Sequence, residues 1–209
     1  MELELSAFVI LLALYLMHDF GMSLLFRRKF NKEEYFLGKN APDETQRFFG
    51  IITNTILAYY TLVLSHLIWS ITFWGLISDI APLDSASFKA AGLVLGTLSI
   101  LLMTAVRLNL GSSWRVGLDH QTKDVLVIDG FYRFMRNPYY SFLFLFQFSL
   151  ILVSPNALCI FALVQTLILL HLQVRQEEVF LKQKYGKEYE DYLTKTNRFL
   201  PRLTHGKRT

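Results

Sequence analysis

Apolar residues run through this chain in blocks rather than alternating. Three blocks, Leu5–Phe26, Phe48–Ile77 and Phe88–Leu110, are long enough at ~1.5 Å per residue to cross a hydrocarbon core of ~30 Å. Two shorter blocks, Tyr139–Val153 and Ala157–Leu172, are joined by Ser154-Pro155-Asn156, a sequence that ends one helix and begins another with few unpaired backbone groups. The pattern predicts an all-α integral membrane protein of about five transmembrane helices, the last two a short hairpin that does not fully span. At 30 residues the second block exceeds one crossing, so it should tilt, or break near Thr53-Asn54-Thr55. Trp69, Phe73 and Trp74 suit an interfacial belt at its outer end. Gly92 and Gly96 form a small-xxx-small pattern that lets another helix approach closely.

Composition supports the membrane reading: 53% of the 209 residues are hydrophobic and 15% aromatic, richer than most soluble domains. Charge then sets the expected orientation. Of 21 Lys and Arg, six lie in 27–47, four in 111–137 and nine from Arg175 onward, whereas 78–87 and 154–156 hold none. The positive-inside rule puts the N-terminus outside and the C-terminus in the cytosol, in the cytoplasmic membrane of a prokaryote or the endoplasmic reticulum of a eukaryote. The net charge of +4 is thus mostly a topology signal and does not indicate a nucleic-acid partner. The first span is not expected to be a cleaved signal peptide, because Glu2 and Glu4 lead it and its basic residues follow it. With Cys159 as the single cysteine, no disulfide and no Cys-based metal cluster is expected.

One membrane domain is expected over 1–209, with three N-terminal spans in 1–110 and the informative chemistry in 111–209. "GFYRFMRNPYYSFLFLF" places a polar knot before an apolar helix. Asn137 is a favoured N-cap and Pro138 a favoured first residue, so the helix should begin there and present free N–H groups that attract an anion. Arg133 and Arg136 add positive charge, and Tyr132, Tyr139 and Tyr140 add rings and hydroxyls. The bland alternative is a capped helix with snorkelling arginines. Glu177 and Glu178 follow the last apolar block; as a solvated face Glu178 would pair with Lys182, while as a site Glu177 would accept a ligand ammonium. Anion site and cation acceptor together suit a zwitterionic amino-acid group.

These elements, in this order, resemble the membrane methyltransferases of the isoprenylcysteine carboxyl methyltransferase type, related to the phospholipid N-methyltransferases. The resemblance rests on "LGSSW", "LVIDGFYRFMRNPYY", "EEVFLKQKYGKEYEDY" and "NRFLPR" and covers roughly 107–203. It implies S-adenosyl-L-methionine as cofactor, in a cytosolic pocket built from the 111–140 loop and the C-terminal helix. Cofactor contacts would fall on Asp124, Val125, Leu126 and Val127, on Tyr132, Arg136, Asn137, Pro138, Tyr139 and Tyr140, and on Glu177 and Glu178. The implied reaction is methyl transfer to a lipid or lipid-modified partner, first the carboxylate of an isoprenylated cysteine, with no metal.

Three positions depart from the family pattern: Asp124 and Asn137 stand where histidine is common, and Gln173 stands where an arginine often meets the substrate carboxylate. Arg175 lies about 200° round an ideal helix from Gln173, so it could act in its place only on an irregular helix. Direct transfer to an ionised acceptor needs no general base; a phospholipid amine would, with Asp119, His120 or Glu178 as candidates. A small thiol is a further possible acceptor. Competing readings are an NADPH-dependent sterol-type reductase, suggested by Lys184-Tyr185-Gly186, and a non-catalytic protein of the same fold. His18 and Asp19 are expected as an interfacial pair, with a lesser chance of lining the pocket.

Overall fold

The computed structural model describes residues 2–31, 44–70, 80–116 and 125–202. Six α-helices carry them: α1 (Glu2–Phe30), α2 (Glu44–Trp69), α3 (Ala86–Leu110), α4 (Pro138–Val153), α5 (Ala157–Tyr185) and the short α6 (Lys187–Lys195). Four of these, α1, α2, α3 and α5, are long and apolar enough to cross a membrane, and α4 is a shorter apolar helix. Their outer surfaces keep large apolar residues such as Met17, Phe20, Leu101 and Ile168 exposed, as lipid-facing helices do.

Two expectations from the pattern are corrected. The fifth apolar block is not a short one that stops near Leu172; it continues as one unbroken 29-residue helix to Tyr185, carrying both glutamates on its last turns. The second block neither breaks nor bends into a loop at Thr53-Asn54-Thr55, because α2 runs through it. Thr53 and Thr55 donate their hydroxyl protons to the carbonyls of Phe49 and Ile52 (2.8 and 2.7 Å), which satisfies them inside the helix. Gln165 of α5 then reaches Ile52 O and Thr55 Oγ1 (2.9 and 2.5 Å), so polar groups zip α2 to α5. Trp69 ends α2 and is exposed; Phe73 and Trp74 lie outside the described residues.

The two glycines of α3 do what their spacing predicted. A Cβ on Gly92 would stand 2.7 Å from the backbone oxygen of Ser149, and one on Gly96 would stand 2.7 Å from Leu11 Cδ2. Without side chains there, α3 lies directly against α4 and α1. Behind this contact sits the core, where Phe8, Leu11, Val63, Met103, Phe146, Leu150 and Ala162 are almost wholly buried.

The far end of the bundle from the knot is fastened by a buried ion pair. Lys89 Nζ lies 3.2 Å from Glu4 Oε2 and 2.5 Å from Asp84, and Ser154 Oγ donates to Glu4 Oε1 (2.7 Å). Asn156 caps α5 by accepting from Cys159 N (3.1 Å), and Pro155 O accepts from Ile80 N (2.7 Å). The starts of α1 and α3 and the α4–α5 turn therefore meet at one end. The starts of α2 and α4 and the end of α5 meet at the other.

Candidate active site

Why the knot folds as it does is decided by the C-terminal segment. Gly186 adopts a positive φ of 55°, closing α5 with a bond from its N–H to Lys182 O (2.9 Å) and turning the chain straight into α6. After α6 the chain returns beside the knot. Met135 and Asn197 form an isolated parallel bridge, Arg136 N donates to Asn197 O (2.9 Å), and Asn137 N donates to Arg198 O (3.1 Å). The Asn137 side chain donates to the same carbonyl (3.2 Å), so it does not cap α4 as expected. Pro138 does take the first helical position. The positive end of α4 is thus not capped by the Asn137 side chain.

The two adjacent glutamates have separate jobs. Glu178 Oε1 accepts from Arg136 Nε (3.0 Å) and Arg198 Nε (3.1 Å), and its other oxygen accepts from Arg198 Nη2. Arg136 also donates to the carbonyl of Thr196. Glu178 is thus the centre of a clamp that holds the chain after α6 against the knot, and its carboxylate raises the affinity of Arg198 for its proton. The alternative pairing with Lys182 does not occur; Lys182 binds Glu190 at 2.8 Å. Glu177 is turned the other way. Its Oε1 accepts from Tyr140 OH (2.8 Å) and Gln173 Nε2 (3.0 Å), neither bond uses Oε2, and the residue lines a cavity.

That cavity has a volume of about 510 Å³, well within the range of small-molecule sites. Its lining includes Val125, Leu126, Val127, Tyr132, Asn137 and Tyr140 with Gln173, Glu177, Tyr189 and Tyr192. Burial pushes the phenols of Tyr132, Tyr189 and Tyr192 well above their ordinary range, so they remain hydrogen-bond donors at any physiological pH. Tyr192 OH donates to Tyr132 O (2.6 Å), tying α6 to the knot.

The cavity is also lined by Tyr15 and Asp19 of α1, Phe49, Gly50, Thr53 and Asn54 of α2, and Trp114. Asp19 pairs with the fully buried Arg107 at 3.2 Å, and the Arg107 guanidinium lies 4.9 Å from the Trp114 ring centroid. Trp114 meets Tyr139 edge-on at 4.6 Å. His18 does not pair with Asp19; its Nδ1 lies 2.8 Å from Thr104 Oγ1.

The structure thus gathers most of the residues singled out in the sequence. Val125 to Val127, Tyr132, Arg136, Asn137, Tyr139, Tyr140, Gln173, Glu177 and Glu178 all line the cavity. Pro138 is buried and sets the helix start without being part of the wall. Arg175 is the clear exception: α5 is regular there, so Arg175 is carried to the exposed side and cannot take the place of the arginine missing at Gln173. Arg133 is also exposed and outside the wall. Asp124, Asp119 and His120 lie outside the described residues. The contributions of α1 and α2, Asp19 apart, were missed. Their signal was the polar pair Thr53-Asn54 inside an apolar block, which suggested a break instead of a wall.

Helices of membrane-spanning length around a cavity lined by Glu177 define the chain as an integral membrane protein. The comparisons with known proteins make this more specific. Residues 88–188, just under half of the chain, match the family model described as phospholipid methyltransferase. No curated protein matches the chain. Among solved structures, it is similar to a eukaryotic intramembrane Ras methyltransferase, isoprenylcysteine carboxyl methyltransferase, determined without a monobody. That match has 17% identity, covers 96% of each chain and has a TM-score of 0.49.

Proposed function

We propose that the protein transfers a methyl group from S-adenosylmethionine to a lipid-linked acceptor at the cytosolic face of its membrane. The observation that carries this is the division of labour between the glutamates: Glu178 is spent on the clamp, while Glu177 keeps one oxygen available in the cavity next to the start of α4. A carboxylate and the N-terminal end of α4 at one cavity fit the ammonium and carboxylate of an amino-acid moiety. The volume of about 510 Å³ also suits a molecule of that size.

Bound there, S-adenosylmethionine supplies a methyl group on a positively charged sulfur. Glu177 would hold its ammonium, and the positive end of α4 its carboxylate. Val125, Leu126 and Val127 offer apolar surface, and Tyr132, Tyr189 and Tyr192 close the wall. The work of these residues is alignment and exclusion of water.

The first acceptor reading is the carboxylate of an isoprenylated cysteine, which is already ionised and needs no base. Arg115, which lines the cavity, can meet that charge. A second reading, a phospholipid amine, is favoured by the description of the matched family and by the outward-facing Arg175. An amine must lose a proton, and Glu178, bonded through both oxygens to arginines, is not open to take it.

Transfer of label from S-adenosyl-[methyl-³H]methionine, with the full chain in detergent, tests the proposal against N-acetyl-farnesylcysteine, phosphatidylethanolamine and a small aliphatic thiol. Base-labile label on the farnesylcysteine is the expected result. Label on phosphatidylethanolamine would replace the first acceptor with the second. No label on any acceptor, with no binding of S-adenosylhomocysteine at millimolar concentration, would overturn the methyltransferase reading, and saturable NADPH binding would favour a reductase.

A further inference from the structure

The residue that supports Glu177 is itself supported from a helix outside the family-matched stretch. Gln46, in the first turn of α2, has no exposed surface. Its Nε2 lies 3.4 Å from Gln173 Oε1, and Gln173 Nε2 lies 3.4 Å from Gln46 Oε1, so the two amides face each other in a reciprocal pair. Each contact is long, yet the pair has a direction. The second hydrogen of Gln173 Nε2 points to Glu177 Oε1 (3.0 Å), and the second hydrogen of Gln46 Nε2 points to Gln176 Oε1 (2.9 Å). Turning the Gln173 amide over would set its oxygen against the Glu177 carboxylate and break both contacts with Gln46. Gln46 thus fixes which end of Gln173 faces Glu177.

We propose that Gln46 is a positioning residue for the ligand-binding carboxylate Glu177, acting through the amide of Gln173. This rests on the reading above that Glu177 receives the cofactor ammonium. With Gln173 donating from one side and Tyr140 from the other, Glu177 Oε1 is held in place and Oε2 is left for the ligand. The same α2 helix lines the cavity at Phe49, Gly50 and Thr53, one and two turns further on. The other charged groups acting on Glu177 are Arg115 and Glu178.

Two ligands separate positioning from a loss of fold. S-adenosylhomocysteine carries the ammonium, and 5′-methylthioadenosine has the same nucleoside thioether without it. In calorimetric titrations of the full chain in detergent, Gln46→Met should weaken S-adenosylhomocysteine about 3- to 10-fold, the loss of one neutral hydrogen bond's orientation. It should leave 5′-methylthioadenosine within twofold of wild type. Gln173→Met should do the same, and the double variant should lose no more than Gln173→Met alone. Additive losses, or equal losses for both ligands, would overturn the proposal. Where Gln46→Met does not fold, Gln46→Asn, one methylene too short for the pair, carries the same expectation and the same refutation. Wild-type protein that does not bind S-adenosylhomocysteine refutes the cofactor reading instead, and wild-type binding that Gln46 variants leave unchanged refutes only the role of Gln46.

Discussion

Replacing Glu177 by glutamine removes one charge and almost no volume, which makes it the sharpest probe of the site. The new amide can accept from Tyr140 and Gln173 only if its oxygen takes the place of Oε1, at 2.8 and 3.0 Å from those donors. Its NH₂ then stands at Oε2, a donor where an ammonium needs an acceptor. A hydrogen bond to a charged group contributes about 1.5–3 kcal/mol, so S-adenosylhomocysteine should bind about 10- to 150-fold more weakly. The unliganded protein should lose little stability, since both internal bonds can persist. Isothermal titration calorimetry in detergent reads the first effect, and the midpoint of thermal unfolding without ligand reads the second. If Glu177→Gln binds within twofold of wild type, the ammonium is not held at Glu177.

Glu178→Gln should behave in the opposite way. With Glu178 and Arg136 mostly buried and Arg198 about a third exposed, loosening the clamp should cost about 2 kcal/mol locally, toward the lower end for charged pairs because of solvent screening. Amide hydrogen exchange in 187–195 should quicken about 30-fold, and unchanged exchange there would show that α6 is held by other contacts. Gly92→Ala would push a methyl to 2.7 Å from Ser149 O and 2.8 Å from Val153 Cγ2. Forcing α3 from α4 should cost about 1–3 kcal/mol and lower the unfolding midpoint by several degrees; an unchanged midpoint would mean that the helices separate freely.

Hydropathy made the helices legible because a membrane span is specified by length and composition alone, and the structure moves their ends by only a few residues in α1, α3 and α4. The site was legible where spacing fixes direction. Gln173 and Glu177 are one helical turn apart and do hydrogen-bond, and the 200° between Gln173 and Arg175 correctly implied that a regular helix would turn Arg175 away. Partners distant in sequence were not legible. Asn137 has the composition of an N-cap, yet the carbonyl of Arg198, 61 residues on, takes its amide, and the pairing of Glu178 with Lys182 gives way to Arg136 of the knot and to Arg198, which follows the turn at Gly186. In both cases a local rule named a reasonable partner and tertiary contact supplied a better one.

The same comparison bears on what the acceptor can be. A carboxylate needs a basic group, and Arg136 and Arg107 are ion-paired with Glu178 and Asp19. Arg175 faces outward, and Gln173 is engaged with Glu177 and Gln46. Arg115 also lines the cavity wall, and its charge acts on Glu177. If the acceptor is a carboxylate, the expectation is that Arg115, in the segment after α3, meets it. Arg115→Gln should then raise the KM for N-acetyl-farnesylcysteine about tenfold or more while sparing S-adenosylhomocysteine binding. An unchanged KM would remove the structural support for a carboxylate and leave the phospholipid amine as the better reading.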